Sequence, residues 1–226
     1  MTDAAETTGD ARADLLAAVS RLSDLPARFA PLTGDARPAA VLILFGRLDD
    51  EPADSVPATV PADLDVLLQR RSATLSSHAG QVSFPGGGRD PEDRDAVATA
   101  LREAEEETGL DPSGVDVLAT LPELPILPSQ YRVTPVLGWW RTPSRVAAVD
   151  HAETVDVFRI PVAELLDPAN RYTSTLSRAG RSFRGPAFDI DGTIVWGFTA
   201  MVLDGLFDAA GWTIPWDRAL ERPVAP

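Results

Sequence analysis

Residues 85–110 read PGGGRDPEDRDAVATALREAEEETGL, and this stretch limits what the chain can fold into more than any other. Three consecutive glycines and Pro91 predict a segment without regular structure over Pro85–Asp95. Asp95 then offers an N-cap. Val97, Ala100, Leu101 and Ala104 recur at helical spacing, and Gly109 suits the left-handed residue that closes a helix. Glu103, Glu106 and Glu107 fall at i, i+3 and i+4, so their carboxylates share a face about 100° wide. The centre of that face is turned roughly 120° from the apolar stripe. The stripe can therefore be fixed against a sheet while the carboxylates stay accessible. Crowded carboxylates repel unless cations neutralise them. Mg²⁺ is a hard cation that binds through few carboxylates and takes its remaining ligands from water and substrate phosphates. The glycines allow backbone amides and carbonyls to approach a metal or phosphate closely. A Glu-rich helix alone would read as a solvated acidic surface. The fixed order of glycine loop, helix start and carboxylates is what favours a site.

Around this segment the periodicities predict alternating helices and strands. Arg12 to about Leu25 carries Leu15, Leu16, Val19 and Leu22 at helical spacing. Strands are expected at Ala39–Arg47, Leu64–Arg71, Gly80–Phe84, Val115–Leu121, Tyr131–Trp140 and Thr154–Ile160. Pro135 argues for an edge or a bulge in the fifth of these. A short helix is expected at Val162–Leu166, a hairpin turning at Asp191-Gly192, and a last helix at Phe198–Ala209. Residues 1–10 are small, polar and acidic and are expected to be a disordered tail. Residues 11–226 then form a single α/β domain ending in a peripheral, proline-bounded tail.

Composition removes whole classes of chemistry. The chain has no cysteine and no lysine, so all 20 basic residues are arginine. Thiolate nucleophiles, cysteine-ligated metals, Schiff-base catalysis and a P-loop are excluded. No G-x-S-x-G elbow supports serine hydrolysis. A net charge of -14 argues against nucleic-acid partners. It is compatible with a small phosphorylated substrate held through a metal. There is no apolar run of membrane-spanning length and the acidic start is not secretory, so no membrane contact and a cytoplasmic location are expected.

The stretch ending at Leu110 resembles the Nudix box, G-x5-E-x7-R-E-U-x-E-E-x-G-U, where U is aliphatic. Arg102, Glu103, Ala104, Glu106, Glu107, Gly109 and Leu110 match its C-terminal part. The N-terminal part departs: counted back from Arg102, the isolated glutamate falls on Arg94, whereas counting from Gly87 puts Asp93 near that role with one extra residue. Just upstream, LLQRRSATLSSHAGQVSFPGG resembles the signature of the coenzyme A diphosphatase branch, L-L-T-x-R-S-x3-R-x3-G-x3-F-P-G-G. Leu67, Leu68, Arg71, Ser72, Gly80, Phe84, Pro85, Gly86 and Gly87 match; Gln69 replaces the threonine and Ser76 the second arginine.

The resemblance implies an α/β/α sandwich around a mixed sheet. It implies Mg²⁺ or Mn²⁺ held by Glu103, Glu106 and Glu107, with Arg102 orienting a glutamate. Arg71, Ser72, Gly86 and Gly87 would contact substrate, although Arg71 also reads as a solvated charge, as do Arg70 and Arg89. A further acid is expected to serve as base or metal ligand. Glu153 is the first candidate and Glu123 the second, and each reads equally well as a surface glutamate. The implied reaction is hydrolysis of a phosphoanhydride, with coenzyme A or acyl-coenzyme A cut to 4′-phosphopantetheine (or its acyl form) and adenosine 3′,5′-bisphosphate. The alternatives are ADP-ribose, a dinucleotide or a nucleoside triphosphate as substrate, or a non-catalytic ligand-binding module. The intact R-E-x-x-E-E core weighs against the last. Trp139-Trp140, His78 and His151 read as core, interface or surface residues, and a homodimer is one assembly open to the chain.

Overall fold

The computed structural model describes residues 10–29, 36–47, 63–73, 79–126, 130–178 and 181–224. The expected tail at residues 1–9, most of the loop before Leu64, and Ser76 and His78 lie outside the described residues. In chain order the elements are α1 (Ala11–Val19), a 3-10 segment (Leu22–Arg28), β1 (Arg37–Arg47), β2 (Leu64–Arg71), β3 (Val82–Ser83) and β4 (Gly86–Gly88). There follow α2 (Ala96–Thr108), β5 (Val115–Thr120), β6 (Leu124–Ile126), β7 (Tyr131–Trp140), β8 (Thr154–Pro161) and α3 (Val162–Leu166). The chain closes with β9 (Arg171–Arg178), β10 (Arg181–Ile190), β11 (Thr193–Val195), α4 (Gly197–Ala210) and β12 (Glu221–Pro223).

β1 organises the molecule. One of its edges runs parallel to β7 over nine residue pairs. Its other edge is divided, with β4 paired to its start and β2 to its end, both antiparallel. Both faces of β1 are buried, and successive side chains point to opposite sides. Ala40, Leu42 and Leu44 meet Ala100 and Ala104 of α2, together with Leu67, Val136 and Trp140. Ile43 and Phe45 join a larger core with Leu15 of α1 and Leu203 and Leu206 of α4. The result is a mixed sheet between helices, the α/β/α arrangement expected. Burying each Leu, Ile or Phe side chain contributes ~1.5–3 kcal/mol, so both helical layers are anchored through this strand.

Several sequence expectations are corrected. The first helix stops at Val19 and continues as 3-10 from Leu22, because the core takes Leu15, Leu22 and Leu25 while Leu16 stays exposed. The glycine run is not irregular: Gly86–Gly88 is a strand on β1. β7 is neither an edge nor bulged at Pro135. The proline's missing donor falls between the stretches of β7 taken by β6 (to Val133) and β5 (from Val136), and Pro135 still accepts through its carbonyl from Leu121. The expected peripheral tail also carries a strand, since the exposed β12 pairs parallel with β9 at the edge of a second, four-stranded sheet that also holds β10 and β11. That sheet and α4 share the larger core through Phe188 and Val195. The Asp191-Gly192 turn and the Val162–Leu166 helix form as expected.

Candidate active site

α2 starts and ends as its sequence dictates. Asp95 caps it by accepting from the Ala98 amide, and Gly109 closes it at φ 69°. Its apolar stripe against β1 fixes its rotation, and the three glutamates then fall into graded environments. Glu107 is 5% exposed, Glu103 is half-buried, and the Glu106 side chain is 59% exposed. Glu107 is thus less accessible than helical geometry alone suggests, because the glycine strand covers it.

Two of the glycines stand in close contact with their neighbours. A Cβ on Gly86 would stand 2.4 Å from the Ala40 carbonyl oxygen, and one on Gly87 would stand 2.6 Å from the Glu103 carboxylate. With no side chains between them, strand β4 lies directly on the two acids. The Gly86 amide donates to Glu107 Oε2 at 2.8 Å. Gln69 Nε2 donates to the same oxygen at 2.6 Å, and Arg71 Nη1 lies 3.8 Å from Oε1. Burial pushes the Glu107 carboxyl up to about 7, against the pull of those three donors. Burial also raises Glu103, opposed by the adjacent Arg102 guanidinium.

Arg102 is the hub of the helix's first turns. It grips Asp93 with Nε at 3.1 Å and Nη2 at 2.9 Å, reaches the Gly88 carbonyl at 3.1 Å, and meets Glu103 at 3.1 Å and Glu106 at 2.9 Å. The hydrogen bond from Arg102 holds the buried Asp93 carboxyl well below the usual range, and Asp93 raises Arg102 in turn. Of the two registers the sequence left open, the structure therefore puts Asp93 against Arg102, whereas Arg94 is exposed and paired with Asp95.

The structure brings Glu103, Glu107, Arg102, Arg71, Gly86 and Gly87 together. Ser72 is buried at the end of β2, and its amide donates to the Glu153 carbonyl at 2.7 Å. That bond puts the Glu153 backbone beside Arg71, with its side chain exposed. Glu123 is exposed and paired with Arg132 at 3.6 Å. Arg70 bonds Thr193, and Arg89 caps the loop carbonyls of Asp93 and Arg94, so neither is a free cation. Trp140 is core and His151 is exposed. Gln69 was overlooked, although it is a lone amide within an apolar strand, LDVLLQRR, and a buried polar side chain needs a partner.

Among the described residues, no three Asp, Glu or His side chains converge as a ready-made metal cage. Arg102 draws Glu103 and Glu106, while Glu107 is held by Gly86 and Gln69. The donor set nonetheless suits a hard divalent ion, being all oxygen with the cradle over Glu103 kept open by Gly87.

A profile described as NUDIX domain matches residues 51–177, more than half of the chain. The chain belongs to the Nudix hydrolase family. Its relative in Photorhabdus laumondii, named an uncharacterized Nudix hydrolase NudL, is 40% identical over 141 residues, or 62% of this chain and 74% of that one. Nudix hydrolase 15, mitochondrial, of Arabidopsis thaliana is 37% identical over 191 residues, or 82% of this chain and 61% of that one. The crystal structure of a Nudix hydrolase from M. Smegmatis, RenU, aligns with a TM-score of 0.45 and 23% identity over 60% of this chain and 76% of that one. The protein is accordingly a Nudix-type hydrolase of diphosphate-containing substrates, in a family that works with divalent metal ions. Among the described residues no helix is long and apolar enough to cross a membrane.

Proposed function

We propose that this enzyme cuts the diphosphate of coenzyme A or acyl-coenzyme A, releasing 4′-phosphopantetheine (or its acyl form) and adenosine 3′,5′-bisphosphate. The observation that carries the proposal is the meeting of two motifs around one buried carboxylate. Arg71, from the coenzyme A signature, lies 3.8 Å from Glu107, from the Nudix box, and the signature's own Gly86 donates to that carboxylate. About a quarter of the Arg71 side chain, 24%, is exposed, so its guanidinium can offer N–H donors to a substrate phosphate.

Glu103, Glu106 and Glu107 would hold Mg²⁺ or Mn²⁺. Bound there, the ions would neutralise the diphosphate and lower the pKa of the attacking water. Glu107, held by Gly86 and Gln69, keeps a fixed position under the phosphates. Arg102 restrains Glu103 and Glu106, and Arg71 binds the phosphate. Ser72 keeps the chain of Glu153 beside Arg71, and Gly86 and Gly87 give the substrate its close approach to backbone. We assign the proton acceptor to Glu153, with Glu123, already paired to Arg132, as second candidate. Water oxygen bonds to phosphorus, the anhydride P–O bond breaks, and the leaving phosphate keeps the electron pair.

The test is a product screen of coenzyme A, its 3′-dephospho form, ADP-ribose, dinucleotides and nucleoside triphosphates with Mg²⁺ and Mn²⁺. A charge-assisted contact to the 3′-phosphate is worth about 1.5–3 kcal/mol, so kcat/KM for coenzyme A should exceed that for ADP-ribose by about tenfold or more. Arg71→Ala should narrow the gap between coenzyme A and its dephospho form. Equal kcat/KM for coenzyme A and ADP-ribose, or no adenosine 3′,5′-bisphosphate from coenzyme A, overturns the coenzyme A assignment and leaves the family intact.

A further inference from the structure

β2 and β8 run antiparallel with Gln69 opposite Val157 and Arg70 opposite Asp156, but the register then shifts and Arg71 lies opposite Thr154. The consequence is steric. Directly opposed residues share a face, and side chains along a strand alternate. In an unbroken register Val155 would stand opposite Arg71, on the face of Gln69 and Val157 that looks toward α2. The bulge substitutes Thr154 there and leaves Val155 43% exposed. Bulges re-aim side chains in this way.

The re-aimed hydroxyl has a specific partner. Thr154 Oγ1 donates to Gln69 Oε1 at 3.2 Å, and Gln69 Nε2 donates to Glu107 Oε2 at 2.6 Å. Both Thr154 and Gln69 are fully buried. The direction of the chain is fixed by chemistry. An ionised carboxylate only accepts, so the amide must present its NH₂ to Glu107 and its oxygen to the hydroxyl. With Gly86 on the same oxygen, Oε2 has two donors, and Oε1 is left toward Arg71.

We propose that Gln69 is a positioning residue for Glu107, set in place by Thr154 and the bulge in β8. The inference rests on Glu107 serving as a metal ligand. The amide and hydroxyl touch neither metal nor substrate. They hold one carboxylate oxygen so that the other faces Arg71 in a single orientation. Partners of this kind typically change metal affinity or activity by 10–100-fold when removed.

The experiment measures Mn²⁺ affinity by electron paramagnetic resonance, with kcat and Tm, on the full chain and its variants. Gln69→Met keeps the volume and removes the donor, and should weaken Mn²⁺ at least tenfold. Thr154→Val should weaken it several-fold, and Thr154→Ser, which keeps the hydroxyl, should stay within twofold of the parent. The double variant Gln69→Met/Thr154→Val leaves no hydroxyl stranded against an apolar chain, and it is read in place of Gln69→Met if that variant does not fold. Folded Gln69→Met or double variant with Mn²⁺ affinity and kcat within twofold of the parent overturns the inference. Glu107→Gln in the same titration separates the two readings. If it loses Mn²⁺ while Gln69→Met keeps it, only the positioning role fails. If Glu107→Gln keeps both affinity and turnover, the metal role of Glu107 fails and the positioning role with it.

Discussion

Two buried charges in this molecule are treated in opposite ways. Arg171, at the start of β9, is 1% exposed; its Nη2 meets Asp204 of α4, and its guanidinium lies over the rings of Phe188 at 5.1 Å and Trp216 at 4.8 Å. Burial lowers its pKa and Asp204 opposes the shift, so the charge is balanced within the fold. Glu107 is nearly as buried, but its close partners are neutral: an amide of the glycine strand and a side-chain amide. Among the described residues the opposite charge paired with it, Arg71, stays 3.8 Å away. A buried ion with a contacting counter-ion belongs to the scaffold. A buried ion supplied with dipoles and no contacting counter-ion would, in the metal role proposed for it, receive its counter-charge from outside.

Glu107→Gln should give the largest effect. Removing the charge of the proposed metal ligand while keeping the side-chain shape should cost several kcal/mol of transition-state stabilisation, on the order of a thousandfold in kcat. Near parental kcat at saturating Mg²⁺ in the folded variant would break the comparison. The same variant has a stability signature without metal. The folded carboxyl, at about 7, lies above its ordinary 4.5. Its contribution to stability is therefore fully present below about pH 4.5 and lost as pH rises through about 7. In chelator, Glu107→Gln should gain on the parent between ~pH 5 and ~pH 8, reaching roughly 3 kcal/mol at the upper end. Denaturant midpoints across that range measure it, and parallel curves would contradict the burial argument.

Arg171→Met should show the reverse pattern. It removes the contacting counter-ion of the buried Asp204, while Arg218 stays 3.8 Å away. Breaking such a pair costs about 3 kcal/mol, or a fall in Tm of roughly 6–12 °C for a chain of this size. The kcat of the folded enzyme should stay within about twofold. Adding Asp204→Leu should recover much of the loss, since replacing both members of a buried pair is far cheaper than stranding one. A drop in kcat without a drop in Tm would tie the second sheet to the reaction and end the contrast.

The two regions also differ in how legible they were. The acidic helix could be read because its determinants are local: the Asp95 cap, the spacing from Val97 to Ala104, and Gly109. The second sheet was read only as a hairpin. β9 carries the polar run RYTSTLSR and β12 lies among prolines, so neither shows an apolar alternation. Their pairing is a long-range event that joins Thr173 to Glu221. The site was legible in its carboxylates and arginines, because charged residues at helical spacing announce themselves. It was illegible at Gln69 and Thr154, where the decisive fact is a register shift between strands more than 80 residues apart in sequence. The glycine strand falls between these cases: close backbone approach is expected there, though to a metal or phosphate rather than to the acids, while its pairing with β1 is not.

The smallest effect separates closeness from pairing. Gly87 and Gly88 are neighbours in β4, paired with Ala40 and Ala39 of β1. A Cβ on Gly87 would meet the carboxylate of Glu103 at 2.6 Å, whereas one on Gly88 would find only Tyr131 Oη, at an ordinary 3.7 Å. Neither has the positive φ that excludes a side chain. Alanine should thus be acceptable to the backbone at both, and slightly favoured through the unfolded chain. Gly87→Ala must push Glu103 aside, and the side chain can yield without unfolding the strand. Its kcat should fall about tenfold, or ~1.4 kcal/mol, with Tm within about 2 °C of the parent. Gly88→Ala should match the parent in both. Equal loss of activity in the two variants would mean that β4 serves as a strand alone, and that the space over Glu103 is not what the glycines preserve.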